Sequence, residues 1–251
     1  MPTFKLTLAY DGTAYSGWQR QPQVRTVQGE LERALAEITG ESIRVAAAGR
    51  TDAHVHALGQ VASLSSATTL GPDSLRRALN ARLPPDIAVV DAALASDDFH
   101  ATRDARSKRY RYVIHDGPLR DVFCRQYAWH VRRRLDAEAM HRAAQALRGT
   151  HDFRSFETHW PTRTTSVRTI FDIGALRQGD CRRELIHIEV EADGFLYNMV
   201  RAIVGTLVEV GQGRRDEYWP LEVLNHQDRR AAGMTAPPHG LFLLYVRYGD
   251  E

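Results

Sequence analysis

Asp52 lies in the stretch AGRTDAHVHALGQV, residues 48–61, two positions after Arg50 and two and four positions before His54 and His56. Three chemistries fit these residue types at this spacing. In an extended segment residues two apart share a face, so Asp52, His54 and His56 could form an Asp-x-His-x-His ligand set for zinc or iron, the basis of a metal-dependent hydrolase. A fourth ligand would have to come from elsewhere, with His100, His115 and His187 as candidates, and no second clustered ligand pair accompanies them. A second reading makes Asp52 the cap of a polar surface turn. A third makes it a metal-free catalytic carboxylate, a nucleophile or base held ionised and dry. An arginine partner lowers the pKa of such a carboxylate and fixes its direction. Arg50 is near in sequence, though as an i−2 neighbour it can point elsewhere. Arg201 interrupts the apolar run FLYNMVRAIVG, where an arginine needs a partner or must snorkel to solvent.

The surface-turn reading explains neither the length of the insert around Asp52 nor the segment RDARSKRYRY (103–112). There Lys108, Arg109 and Arg111 interleave with Tyr110 and Tyr112. Basic side chains alternating with aromatics suit a strand that holds phosphates and stacks bases. Other basic groups, at 132–134, 182–183, 214–215 and 229–230, read as solvated surface. Net charge is only +2, so the overall balance does not itself point to nucleic acid. Apart from Lys5 and Lys108 every basic residue other than histidine is arginine.

The elements that must carry these residues follow from length and periodicity. A chain of 251 residues makes one large domain or two modest ones. Its 43% hydrophobic and 25% charged content is that of a globular protein, with no apolar run of the roughly 20 residues that cross a membrane and no signal-peptide core. Cys124 and Cys181 stand far apart, which predicts a reducing, cytoplasmic setting without disulfides. Strands are expected at 4–10, 42–49, 60–66 and 86–94, with helices at 26–40, capped by Thr26 and stopped by Gly40, and at 72–83. That order is β-α-β-β-α-β, the split unit of ferredoxin-like folds. The second half repeats it: strands at 107–115, 166–176, 183–192 and 240–248, and helices at 136–149, from Asp136 to Gly149, and at 195–210, with RQGD (177–180) as the turn between two of the strands. The fold class is therefore α/β (α+β): two ferredoxin-like halves, 1–104 and 105–251, joined through a mainly antiparallel central sheet with a cleft between them. Insertions at 11–25, 49–59, 150–165 and 225–240 interrupt the plan, and loops of this length are often functional.

The chain closely resembles the tRNA pseudouridine synthase A family. The resemblance is carried in order by YDGTAYSGWQRQ (10–21), TVQGELERAL (26–35), AGRTDAHVHALGQV (48–61), ALNARLPPDI (78–87), FHATRDARSKRYRYVI (99–114), HDFRSF (151–156), ADGFLYNMVRAIVGTLVEVGQG (192–213) and APPHGLFLLYVRY (236–248). It implies that the cleft between the two halves is basic and binds RNA. It implies isomerisation of uridine to pseudouridine at positions 38 to 40 of the tRNA anticodon stem-loop, by a cytoplasmic homodimer with no cofactor and no metal. It implies Asp52 as the catalytic nucleophile, Arg201 as its ion-pair partner, Tyr110 as the ring that stacks on the target base, and Arg50 as the side chain that fills the space of the flipped nucleotide. Where the family usually has glycine two residues after the aspartate, this chain has His54. A positive φ there would be less comfortable for histidine. It would also make the His-x-His pattern incidental. A non-catalytic RNA-binding module remains an alternative, because ferredoxin-like units bind RNA through sheet aromatics, although the usual aromatic RNP consensus is absent from the assigned strands. The metal-dependent hydrolase is the other.

Overall fold

The periodicity of the first strand decides where its helices go. In the computed structural model, which describes residues 1–158, 165–180 and 183–249, β1 (Thr3–Tyr10) buries Phe4, Leu6, Leu8 and Tyr10 on one face. The helical layer of the same core comes from α1 (Val27–Thr39), with Leu31, Ala34 and Leu35, and α2 (Pro72–Asn80), with Leu75 and Leu79. Burying each of the larger aliphatics contributes about 1.5–3 kcal/mol. The Thr26 side chain accepts from the Gly29 amide to start α1, and Gly40 closes it, as the sequence predicts.

Two compact units divide the chain, one of Met1–Arg106 with Phe242–Glu251 and one of Ser107–Leu241. In the first, β1 lies between β3 (His56–Ser65) and β4 (Ile87–Ala95), antiparallel to both. Its register against β3 slips between Leu8 and Tyr10, a bulge where the strand enters the loop region. The other edge of β3 pairs with the two-residue β2 (Ala46–Ala47) and, in parallel, with β10 (Leu241–Tyr248). In the second unit the strand order is β5 (Ala105–Asp116), β9 (Arg183–Ala192), β8 (Val167–Asp180) and β7 (Gly149–Asp152), all antiparallel, with the short β6 (Trp129–Val131) parallel to β5. Its helices are α3 (Ala137–Gln145), packed on β8, α4 (Met199–Gly211), packed on α3, and α5 (Trp219–His226). The fold is mixed α/β with mainly antiparallel strands.

Several boundaries differ from expectation. Of the strand expected over 42–49, only Ala46–Ala47 forms. Ile43 and Val45 are buried, but helix side chains take the ladder's place: Glu32 accepts from the Val45 amide and Gln28 donates to the Val45 carbonyl. Helix α3 starts after its Asp136 cap but ends at Gln145, and Gly149 opens β7 instead of stopping the helix. The RQGD residues belong to β8. Cys181 and Arg182, which follow them, lie outside the described residues, as does 159–164 of the 150–165 insertion. The apolar helix begins at Met199, not 195, because Asn198 is left-handed at φ 60°. Helix α5, β6 and β7 have no counterpart in the periodicity reading.

Candidate active site

Asp52 is half-buried on the loop between β2 and β3, and that loop is tied by its backbone to Tyr15 and Trp18 of the 11–25 insertion. The Thr51 carbonyl accepts from the Trp18 amide at 3.0 Å, the His54 amide donates to the Tyr15 carbonyl at 3.2 Å, and the Val55 amide turns back to the Asp52 carbonyl at 3.2 Å. The approach is close enough that a Cβ on Gly17 would sit 2.8 Å from the Thr51 carbonyl oxygen, and Gly17 has φ +91° besides. Under the loop lies a buried polar chain. The Tyr10 hydroxyl meets the Thr51 hydroxyl at 2.8 Å, and Gln60 donates to the Gly49 carbonyl at 2.8 Å and to the Tyr10 hydroxyl at 3.4 Å. Burial, outweighing these hydrogen bonds, pushes the Tyr10 phenol up to about 12, so it stays protonated. Trp18 is buried beside Tyr10, ring centroids 6.0 Å apart, as part of the core.

The two histidines part company. His54 is exposed at φ +65°, in the left-handed region, and its Nδ1 lies 2.9 Å from the Thr13 carbonyl oxygen. His56 is buried, stacked on Phe242 at 4.7 Å, with Nδ1 accepting from the Gly12 amide at 3.0 Å. Asp11 Oδ1 is 3.1 Å from the same nitrogen. One nitrogen cannot accept from the amide and donate to the carboxylate together. The amide hydrogen points at Nδ1 and Asp11 already accepts from the Thr13 amide and hydroxyl, so the acceptor role stands. Asp52, His54 and His56 do not converge, and among the described residues no three His, Cys, Asp or Glu side chains gather as a ligand set. Arg50 is exposed and makes no hydrogen bond or ion pair with another described residue.

In the second unit, β5 alternates as expected but its two faces do different work. Tyr110, Tyr112 and Ile114 are buried on one face. Tyr110 packs edge-on against Phe195 at 5.0 Å. The Tyr112 hydroxyl donates to the Pro237 carbonyl at 2.7 Å, and burial drives its pKa far up although Arg201 opposes the shift. On the other face Arg109 bonds Glu189 at 2.7 Å, Asp172 at 2.9 Å and Glu191 at 3.2 Å, and Arg111 pairs with Glu189. Burial opposes ionisation of Glu189, but the two guanidiniums outweigh it and hold the carboxyl below its usual range. Arg109 and Arg111 are therefore matched by carboxylates within the sheet, and the expectation that they hold phosphates is corrected. The two tyrosines are also not displayed on an open sheet face, unlike the aromatics of a sheet-based RNA-binding module.

Arg201 does not snorkel. Its Nε donates to the Ala236 carbonyl and one terminal nitrogen to Asn198 Oδ1, both at 2.6 Å, and its own carbonyl accepts from the Ala236 amide at 3.0 Å. Asn198 in turn donates to the Thr158 hydroxyl at 2.7 Å. The segment supplying Ala236 lies directly on α4: a Cβ on Gly205 would be 1.7 Å from the Met234 carbonyl oxygen, and the Gly233 amide donates to Thr206 Oγ1 at 3.0 Å. So part of the 225–240 insertion fixes the arginine's direction. Among the other basic groups, Arg229 donates to the Gly233 carbonyl and to Thr235, Arg230 pairs with Asp228, and Arg214 pairs with Glu209.

Comparison with known proteins decides the family. The sequence pattern of tRNA pseudouridine synthases matches residues 7–102 and 143–249. Proteins named tRNA pseudouridine synthase A are similar over almost the whole chain. The one from Halalkalibacterium halodurans is 49% identical over 96% of this chain and 90% of its own. That from Moorella thermoacetica is 47% identical over 99% and 100%, and that from Thermoanaerobacter sp. 43% over 99% and 100%. The chain belongs to the tRNA pseudouridine synthase family.

As a tRNA pseudouridine synthase it is an isomerase. The product carries ribose on uracil carbon 5 instead of nitrogen 1, so one carbon–nitrogen bond is exchanged for a carbon–carbon bond with no change in mass. Beside the residues flagged by sequence, this synthase has a supporting set that periodicity does not single out: Tyr10, Thr51 and Gln60 under the Asp52 loop, and Asn198 and Ala236 around Arg201. Tyr10 had one visible signal, since it extends the apolar face Phe4-Leu6-Leu8 with a hydroxyl that needs a partner when buried.

Proposed function

We propose that this synthase converts uridine to pseudouridine at positions 38, 39 and 40 of the tRNA anticodon stem-loop, with Asp52 as the nucleophile acting on a flipped nucleotide. The observation that carries this reading is the Asp52 loop: a half-buried carboxylate on a turn fixed from both sides, inside the GRTDA stretch that the family resemblance marks. A stacked uridine must leave the helix before its glycosidic bond can be reached, at a cost of a few kcal/mol. Tyr110 returns about 1–3 kcal/mol by stacking on the freed uracil. Arg50, exposed and uncommitted among the described residues, fills the vacated space. Arg201, its direction set by Asn198 and Ala236, pairs with Asp52 and keeps it ionised. Attack on ribose, attack on the ring and abstraction of a sugar proton all need an ionised carboxylate at the same place. The base then turns, carbon 5 joins ribose, and the proton on carbon 5 is released to water.

The enzyme works as a cytoplasmic homodimer, with the Asp52 loop in the first half and the Tyr110 strand and Arg201 helix in the second, and uses no metal or cofactor. Asp52, His54 and His56 do not form a ligand set, and no helix among the described residues is long and apolar enough to cross a membrane. A tRNA transcript tritiated at uracil carbon 5 tests the target. Replacing the uridines at 38, 39 and 40 with cytidine should remove the tritium released by enzyme. Undiminished release from the triply replaced transcript would assign another target.

A further inference from the structure

We infer that the buried hydroxyl pair of Tyr10 and Thr51 is a positioning device for this reaction, one that sets the place of Asp52 from beneath; the inference rests on Asp52 being the catalytic carboxylate. Thr51 directly precedes Asp52, so the direction of its side chain constrains the peptide from which the carboxylate springs. Its backbone and side chain are both fixed: the carbonyl accepts from Trp18, and Oγ1 lies 2.8 Å from the Tyr10 hydroxyl. Tyr10 is held in turn. It sits where β1 slips register against β3, and Gln60 donates to its oxygen while also donating to the Gly49 carbonyl on the near side of the same loop. Gln60 can only donate through that nitrogen, so the Tyr10 proton is available to Thr51, and the chain runs Gln60 to Tyr10 to Thr51. The three side chains are 0%, 4% and 5% exposed in the order Gln60, Tyr10, Thr51.

Such a chain is a poor way to gain stability alone. Burying polar groups carries a desolvation cost that their mutual hydrogen bonds largely offset, and phenylalanine and valine would fill similar volumes without it. What the hydroxyls add is direction. They tie the loop before Asp52 to the sheet at a defined distance, while the His54 amide and imidazole tie the loop after it to the 13–15 segment. A reacting group must stay within about 0.5 Å of its productive place, and a 1 Å displacement costs on the order of 100-fold in rate. Neither hydroxyl needs to touch substrate for this.

Thr51→Val replaces the hydroxyl with a methyl of similar size, and Tyr10→Phe removes the hydroxyl alone. Tritium release from the carbon-5-labelled transcript, read as kcat and KM separately, should show kcat reduced about tenfold or more in each, with KM within about twofold. Melting temperatures should fall by no more than several degrees, since each variant leaves one buried partner unpaired, and Thr51→Ser, which keeps the hydroxyl, should restore kcat to within about threefold. A folded Thr51→Val or Tyr10→Phe with wild-type kcat would overturn the inference, as would a loss that Thr51→Ser does not rescue. If Thr51→Val fails to fold, Tyr10→Phe alone decides by the same criterion. Asp52→Asn assayed beside them separates the two levels. If it stays active, the assignment of Asp52 falls. If it is dead while Thr51→Val and Tyr10→Phe are unimpaired, only the positioning role falls.

Discussion

The loop of Asp52 is held by backbone groups and uncharged side chains: the carbonyls of Gly49, Thr51 and Asp52, the amides of His54 and Val55, two hydroxyls and a glutamine. The helix of Arg201 is held by burial, with Ala202, Ile203 and Leu207 fully enclosed and the Met234 backbone pressed on Gly205, and its arginine is directed by an amide side chain and a carbonyl. Around that helix, the second unit fixes its sheet with charge, through Arg109 and Arg111 on β5 and Arg177 on β8. The difference is in tolerance. A turn made of hydrogen bonds can absorb a changed residue, as it has absorbed histidine at a left-handed position. A helix whose neighbour rests on a missing Cβ cannot.

The sharpest way to break the helix side is Gly205→Ala. The new carbon would fall on the Met234 carbonyl oxygen, so α4 and the 233–236 segment must separate. Overpacking of this kind costs about 1–3 kcal/mol, occasionally more, and here it also withdraws the Ala236 carbonyl from Arg201. Urea denaturation should show the loss, and turnover should fall more than the loss of folded protein explains. Retained stability would mean that the contact is softer than the geometry says.

Acid tests the charge-held part of the second unit. Asp116 has a fully buried side chain that accepts two bonds from Arg177 at 2.8 Å and one from the Leu135 amide at 2.7 Å. Burial pushes its pKa up, but Arg177 and the amide outweigh burial and hold it below the usual value. A depressed folded-state pKa means that the unfolded chain binds the proton more readily. The stabilisation is therefore complete above the unfolded value near 3.8 and is lost as pH falls through the folded one. The urea midpoint of the wild type should drop steeply below about pH 4, and that of Asp116→Asn, already lower at neutral pH, should be flatter there. Parallel curves would deny Asp116 this role.

The smallest effect is expected at His54. Replacing it with glycine relieves a left-handed residue, worth about 1 kcal/mol, but removes the bond to the Thr13 carbonyl and frees the unfolded chain. Stability should move by less than about 1 kcal/mol and kcat by less than about threefold. A large loss of kcat would show that the backbone ties alone do not hold the loop and that the imidazole is needed.

What could be read in advance follows the same division. Thr26, Gly40 and Asp136 marked helix ends because caps are local chemistry, and β1, β5 and β9 showed in their alternation. The strand expected over 42–49 failed at Val45, where two α1 side chains far away in sequence satisfy the backbone. The start of α4 failed at Asn198, whose side chain is committed to Arg201 and Thr158 instead of capping the helix. Asp52, Tyr110 and Arg201 stood out as a charge in an odd place or an aromatic among arginines. Thr51, Gln60 and Asn198 did not, because a residue that acts through another is marked only by its neighbours in space; Tyr10 showed only as a hydroxyl on an apolar strand face, with its partner hidden. For Arg109 and Arg111 the pattern misled, since the carboxylates that match them come from β8 and β9.

Release of tritium from carbon-5-labelled tRNA, with chelator present, by wild type and by Asp52→Asn tests the central claim most directly. Release is expected from the wild type alone, with tRNA still bound by the variant, since only a charge is lost. If Asp52→Asn keeps about a tenth or more of wild-type turnover, Asp52 is not the reacting carboxylate.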